Sequence, residues 1–276
     1  MVFLEAIRRR RGARSDDAFP WTVPALRGLH ELRFPAAVTF LMGENGCGKS
    51  TLLEALAVAV DAAAAGAEEV GTDATLAGSR RFAAAFETVE QGRPRACVFF
   101  RAEDAFGFTR RIEREMKEID AEADAMLRDE KASEFRRRLG ANITRSSRGA
   151  MARKYGDDPH ARSHGETFLG ILRAQLIPGG LYLLDEPETP LSPTRVLTLL
   201  AILLEAVANG SQFVIATHSP ILAAYPGAAV YVVSAGGIVA TPYADLEHVR
   251  VTKDFLNAPG RYLRHLTAPP DERDPR

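Results

Sequence analysis

Cysteine is nearly absent: Cys47 and Cys97 are the only two in 276 residues. They stand in no CxxC spacing, which argues against a disulfide framework and a cysteine-based zinc site and fits a reducing compartment. Net charge is nearly absent as well, with 35 Lys+Arg against 36 Asp+Glu. So balanced a chain is no wholesale polyanion binder, although a local basic patch stays open. Long apolar runs are missing too. The best candidates, near 56–67 and 196–208, carry Asp61 and Glu205 and fall short of the roughly 18–20 apolar residues that a bilayer crossing needs. The mildly apolar residues 1–7 precede Arg8, Arg9, Arg10 and Arg11, the reverse of the order in a secretory signal. The expected setting is therefore soluble and cytoplasmic, without direct membrane insertion. No repeat at solenoid spacing is visible. What remains is a chain long enough, and at 46% hydrophobic residues apolar enough, for one large α/β domain.

Apolar periodicity organises that domain. Residues 3–40, broken by Pro20, Pro24 and Pro35, read as short strands and turns. Val38-Thr-Phe-Leu-Met42 reads as a buried strand, and Leu52, Leu53, Leu56 and Val60 fall at helical spacing just after it. Residues 96–100, 181–184 and 212–217 read as further buried strands. Ser192-Pro193 suits a helix start, with Val196, Leu199, Leu200, Leu203 and Val207 as its apolar face. Residues 230–234 and 237–241 look like a hairpin. Between about 104 and 162 the chain becomes densely charged. There Ile112, Met116, Ile119, Ala123 and Met126 form one helical stripe, so this part is expected to be a helical insertion. Its exit holds Arg136, Arg137, Arg138, Arg145, Arg148, Arg153 and Lys154 without an acid from 135 to 156. With Ser146, Ser147, Gly149 and Gly156, that exit is expected to be a mobile loop. The polar, proline-rich residues 268–276 are expected to be disordered.

The most specific signal is Gly43-Glu-Asn-Gly-Cys-Gly-Lys-Ser50, followed by Thr51. It fits G-x-x-x-x-G-K-[ST] and lies between a predicted strand and a predicted helix, the context this motif requires. Glycines let backbone N–H groups converge on phosphate oxygens, and the helix N-terminus adds the positive end of its dipole. Asn45, Gly46, Cys47, Gly48, Lys49, Ser50 and Thr51 are thus the nucleotide-binding candidates. Lys49 would bridge the outer phosphates and Ser50 would hold Mg²⁺.

Asp185 and Glu186 end an apolar strand, the place where ligands bind in open α/β sheets. Asp185 is placed to coordinate Mg²⁺ directly or through water, and Glu186 to orient and polarise the attacking water. His218, at the tip of residues 212–217, could contact the terminal phosphate and sense its loss. His30, His160, His248 and His265 have no such context and are assigned to surface or core.

Together these residues resemble the ABC-type ATPases. Ser163-His-Gly-Glu166 lies where that family carries its Leu-Ser-Gly-Gly-Gln signature. Ser163 and Gly165 match the serine and the second glycine, while Arg162, His164 and Glu166 depart from the pattern. Pro190-Leu-Ser-Pro193 resembles the D-loop and His218 the switch histidine. The Ser-x-Gly-Glu variant is similar to that of RecF- and SMC-like members and of small stand-alone predicted ATPases.

The resemblance implies a P-loop α/β fold: one ABC-type ATPase domain over 1–276, a mostly parallel core sheet, an N-terminal antiparallel β portion and the helical insertion. It implies Mg²⁺-dependent ATP hydrolysis in a head-to-tail homodimer, in which Ser163, Gly165 and Glu166 of one subunit would face the nucleotide held by the other. The family's Q-loop glutamine is missing. Arg101-Ala-Glu103 stands there, and Glu103 could take the Mg²⁺ or water contact. Phe19 and Trp21 are possible adenine-stacking residues, read first as core or loop anchors.

Three roles for the hydrolysis stay open at this level. One is nucleic-acid maintenance or defence, with nucleic acid contacted by residues from Arg136 to Lys154. The others are a nucleotide-binding subunit of a membrane transporter and an ATP-dependent clamp on a protein partner with little turnover. GTPases are disfavoured because the chain holds no Asn-Lys-x-Asp motif.

Overall fold

The computed structural model describes residues 1–13, 17–64, 77–102, 104–129, 132–155 and 164–267. The chain opens with β1 (Leu4–Arg9), the short helix α1 (Pro24–Arg27) and β2 (Glu31–Arg33). β3 (Val38–Met42) leads through the glycine loop into α2 (Lys49–Ala59), and β4 (Ala63–Ala64), α3 (Ala77–Ala84), β5 (Phe86–Glu90) and β6 (Cys97–Arg101) follow. Two long helices, α4 (Asp104–Arg128) and α5 (Glu134–Tyr155), then precede α6 (His164–Gln175), β7 (Leu181–Asp185), α7 (Pro193–Ala208) and β8 (Gln212–Ala216). β9 (Ala229–Ser234), β10 (Gly237–Ala240), α8 (Glu247–Asn257) and α9 (Pro259–Thr267) complete the described chain.

Among the described residues, the main sheet has the order β10-β9-β3-β8-β7-β6-β4. β3 pairs in parallel with both β8 and β9, and β7 in parallel with β6 and β8; only β9–β10 is antiparallel. The three strands β3, β7 and β8 are buried at every position, as expected of a parallel sheet covered on both faces. The alternation of side chains sorts them into two cores. Phe40, Leu184, Phe213 and Ile215 face one core with Phe168 of α6 and Leu199 and Leu203 of α7. Leu41, Leu183 and Val214 face the other with Leu52, Leu53 and Leu56 of α2 and with Leu4, Ile7 and Phe86 of the antiparallel sheet β2-β1-β5. The helix that follows the glycine loop and the helix that follows the signature-like segment therefore cover opposite faces of one sheet.

The two sheets are joined by a buried amide. Gln212 accepts the backbone N–H of Phe3 (2.7 Å) and Leu4 (2.9 Å) at Oε1 and donates to the Leu4 carbonyl (2.8 Å) through Nε2. Gln212 has no exposed surface, so these bonds offset the cost of burying its polar atoms.

The expected insertion is a helical hairpin, and its exit corrects one expectation: the basic stretch is the helix α5, not a loop. No proline interrupts residues 134–155, and Arg, Leu, Ala and Met favour helix strongly enough to carry two glycines that cost about 1 kcal/mol each. Ala141 is buried, and Gly140 lets the chain approach Met126 of α4 closely. Arg145–Asp124 (3.1 Å) and Arg148–Asp120 (3.5 Å) cross-link the antiparallel pair. On α4 the anticipated stripe is real, with Ile112, Met116 and Ala123 buried. No helix among the described residues is long and apolar enough to cross a membrane.

Candidate functional site

The glycine loop is built by close contacts that exclude side chains. Gly43 has φ +151°, and a Cβ there would collide with the Val233 carbonyl oxygen. Gly48 has φ +105°, and a Cβ would come 2.6 Å from Cγ1 of Val23. Positive φ and absent space together demand glycine at both positions. α2 begins at Lys49 directly after Gly48, so the first N–H groups of the helix lack intrahelical acceptors and point out of its N-terminus.

Lys49 is 4% exposed. Its Nζ donates to the carbonyls of Gly43 (2.9 Å) and Glu44 (2.8 Å), and no carboxylate among the described residues forms an ion pair with it. A buried cation without a counter-charge is unfavourable unless the site is meant to receive an anion. Directly opposite, the Ser50 hydroxyl donates to Oδ1 of Asp185 at 3.2 Å. Burial pushes the Asp185 carboxyl up to about 6, reinforced by the charges of Glu186 and Glu54 and opposed by the Ser50 hydrogen bond and Arg101. The hydroxyl and carboxylate are the oxygen donors that Mg²⁺ takes, and a cation would restore the charged form of Asp185. The cradle thus fits a nucleotide triphosphate with its metal: Lys49 and the loop N–H groups could hold phosphate, and Ser50 and Asp185 could hold Mg²⁺.

Glu186 leaves β7 with φ +47°, a left-handed conformation that costs a non-glycine residue of order 1 kcal/mol or more. Its N–H donates to the Ala216 carbonyl (2.9 Å), which ties the turn after β7 to the end of β8. The same turn brings Oε1 of Glu186 to 3.1 Å from Nε2 of His218. Lys49, Ser50, Asp185, Glu186 and His218 are thereby assembled at the carboxyl ends of three adjacent strands, β3, β7 and β8.

The sequence profile described as ABC transporter matches residues 32–189, more than half of the chain. The chain belongs to the ABC-type P-loop ATPase family. A second profile, described as "AAA domain, putative AbiEii toxin, Type IV TA system", matches residues 167–224 of this ABC-type protein. Among solved structures the chain is similar to cbiO1 from Clostridium perfringens, part of the ABC transporter complex cbiONQ. That pair shares 17% identity with a TM-score of 0.45, over 96% of this chain and 99% of the other. It is also similar to the SMC head domain from Thermotoga maritima, at 15% identity and TM-score 0.45 over 87% and 99% of the two chains. A nucleotide-free ATP-binding cassette from an ABC transporter matches at 14% identity and TM-score 0.48, over 94% and 99%. No curated protein matches the chain.

The remaining signature-like residues of this ABC-type chain lie at the start of α6. Gly165 is buried, and a Cβ there would stand 2.9 Å from the Pro190 carbonyl oxygen and 3.0 Å from Cδ of Arg195. The glycine thus lets α6 pack against the segment that resembles the D-loop. Glu166 is held by Arg195 of α7 at 2.8 Å. Ser163 and Glu103, together with Arg162, His160 and residues 268–276, lie outside the described residues. Arg101, just before Glu103, pairs with Glu54 at 2.6 Å.

Phe19 and Trp21 agree with their first reading as core or loop anchors, while Glu188 and His248 gain partners that the sequence did not show. Trp21 is core: it is 3% exposed and packs on Phe82 with ring centroids 4.8 Å apart, under the Arg9 guanidinium. Phe19 remains half exposed and covers Gly78. Glu188, passed over two residues after Glu186, organises the loop that carries His218. Its Oε1 accepts the Thr217 hydroxyl (2.6 Å) and the N–H groups of His218 (2.7 Å) and Ser219 (3.1 Å). The Asp-Glu-Pro-Glu run contained that signal. His248, assigned to surface or core, stands with its ring 5.9 Å from that of His218.

Proposed function

We propose that this protein binds ATP with Mg²⁺ and hydrolyses it as a head-to-tail homodimer, with Lys49, Asp185, Glu186 and His218 at the reacting end. The observation that carries the reading is the convergence of a buried ammonium with no ion-pair partner among the described residues, a buried carboxylate bonded to Ser50, and a Glu186–His218 pair on one sheet edge. Lys49 and the N–H groups of residues 45–51 bind the β- and γ-phosphates. Ser50 and Asp185 would hold the metal, which would supply charge neutralisation of the triphosphate. Glu186 orients the attacking water and accepts its proton, and His218 holds Glu186 and meets the γ-phosphate. Positioning and electrostatics provide most of the acceleration.

Dimerisation is supported by the two-faced packing. α2 presents the triphosphate site from one face of the sheet, while α6, with Gly165 and Glu166 and preceded by Ser163, packs on the other. A second copy could bring these residues to a nucleotide, and a ligand shared by two copies adds its binding energy to their association. A single domain in a reducing, cytoplasmic setting fits the two free cysteines.

The role of the hydrolysis is argued from α5. Arg138, Arg145 and Arg148 pair with Glu134, Asp124 and Asp120, which weakens the nucleic-acid reading relative to the sequence alone and leaves Arg136, Arg137 and Arg153 to carry it. The transporter-subunit reading is favoured by the description of the profile over residues 32–189. Co-purification with a polytopic membrane protein would select it, and salt-sensitive DNA binding lost on charge reversal of Arg136, Arg137 and Arg153 would select the other.

The test of hydrolysis is Glu186→Gln. Turnover is expected to fall by about 10²–10⁴-fold while ATP still binds and a dimer accumulates in sizing experiments with ATP. Wild-type protein without turnover would favour the ATP-dependent clamp instead, and unchanged turnover in the variant would remove Glu186 from the chemistry.

A further inference from the structure

The switch-histidine loop is clamped on two sides, and only one of them was visible in the site itself. From below, Glu188 fixes the main chain by accepting the N–H groups of His218 and Ser219. Those bonds act on the main chain, and the staggered position that the imidazole takes depends on what its ring meets. From the other side comes the segment 243–249. The Tyr243 hydroxyl donates to the Pro220 carbonyl at 3.2 Å, two residues past His218. Leu246 and Val249, 1% and 9% exposed, sit in the core cluster that also contains Phe40, Phe213 and Leu222.

Between these two anchors, on the first turn of α8, is His248. Its ring centroid lies 5.9 Å from that of His218 with the planes inclined at 52°, a tilted aromatic contact within the favourable range. The His218 side chain is 28% exposed, and it meets Glu186 at Nε2 on one side and this second ring on the other.

We infer that His248 is a positioning residue for His218: anchored through Leu246 and Val249, it presses the His218 imidazole toward Glu186. The inference rests on the hydrolytic reading of Glu186 and His218. It makes α8, outside both family profiles, part of the catalytic architecture. Anything that shifts α8 then changes turnover through the orientation of one ring.

The experiment combines kinetics with a measurement on the unaltered protein. His248→Ala and His248→Phe are made in the wild-type and His218→Ala backgrounds, and kcat and KM for Mg·ATP are measured. His248→Ala is expected to lower kcat about tenfold with KM within about twofold, because orientation acts on the reacting geometry rather than on uniform binding. His248→Phe, which keeps a ring, is expected to recover most of the loss. In the His218→Ala background His248→Ala is expected to add nothing, the signature of two residues acting as one unit. The inference is overturned if His248→Ala keeps full kcat, if its effect persists undiminished without His218, or if Phe is as poor as Ala.

Should the alanine variant fold badly, cross-peaks between the ring protons of His218 and His248 in the NMR spectrum of the wild type decide instead, and their absence overturns the contact. If wild-type protein shows no turnover, or His218→Ala leaves it intact, the hydrolytic reading has failed. The ring cross-peaks, and broadening of the His218 imidazole signal in His248→Ala, then still report whether His248 orders His218.

Discussion

The carboxyl edge of the main sheet and the α4–α5 hairpin are both dense in charge, and they manage it in opposite ways. On the hairpin, Arg145–Asp124 and Arg148–Asp120 pair on solvent-exposed helices, where each charge is cheap and each pair is weak. At the sheet edge, Lys49 is buried without an ion-pair partner among the described residues, and burial raises the proton affinity of Asp185. Oε2 of Glu188 is buried without a hydrogen-bond partner among the described residues. The chain thus tolerates unfavourable electrostatics in one place and neutralises them in another. The lesson is that charge density alone marks nothing; charge held at a cost to the fold marks the site.

The largest expected effect comes from removing the costliest charge. Lys49→Met should abolish turnover, by about 10³-fold or more, since it deletes phosphate stabilisation in a buried site. Yet its thermal midpoint without nucleotide should match or exceed that of wild type, because no ion pair is broken. A lower midpoint would show that Lys49 serves the fold, erasing the contrast with the hairpin.

Next is the pH dependence of stability. Native Asp185 keeps its proton to about pH 6, whereas its usual value is 3.8. Between these values the native state binds more protons than the unfolded state, so stability falls as pH rises. The loss should reach about 3 kcal/mol above pH 6. Urea titrations without Mg²⁺ between pH 4 and 7 should show that slope, and Asp185→Asn should flatten it.

Glu188→Ala should cost about 2 kcal/mol by stranding the hydroxyl of Thr217 and two N–H groups, seen as a thermal midpoint lowered by roughly 4–8 °C. Smallest of all, Asp124→Asn with Asp120→Asn should change stability by less than about 1 kcal/mol and leave turnover unchanged. A larger loss would mean that the hairpin pairs are structural after all.

Much of this was readable beforehand, for physical reasons. β3, β7 and β8 are mostly apolar because both faces are covered, and the glycine loop announces itself because Gly43 and Gly48 must be glycine for space as well as for φ. Hence Lys49, Asp185, Glu186 and His218 could be placed at one edge from local pattern alone. Non-local features were not legible. β5 and α3 follow an alanine-rich stretch without clear period, and α8 and α9 carry mixed charge with large apolar residues left exposed, Leu256 among them. α5 was misread because Ser146, Ser147 and Gly149 outweighed the helix-forming arginines, and the acidic partners of Arg145 and Arg148 lie on a different helix. His248 meets His218 only through the packing of Leu246 and Val249, which no local spacing encodes.

The most direct test is calorimetric titration of Mg·ATP into wild-type protein and into Lys49→Met. The account predicts saturable one-site-per-chain binding to wild type and none to the variant. No binding to wild type, or equal binding to both, would contradict it.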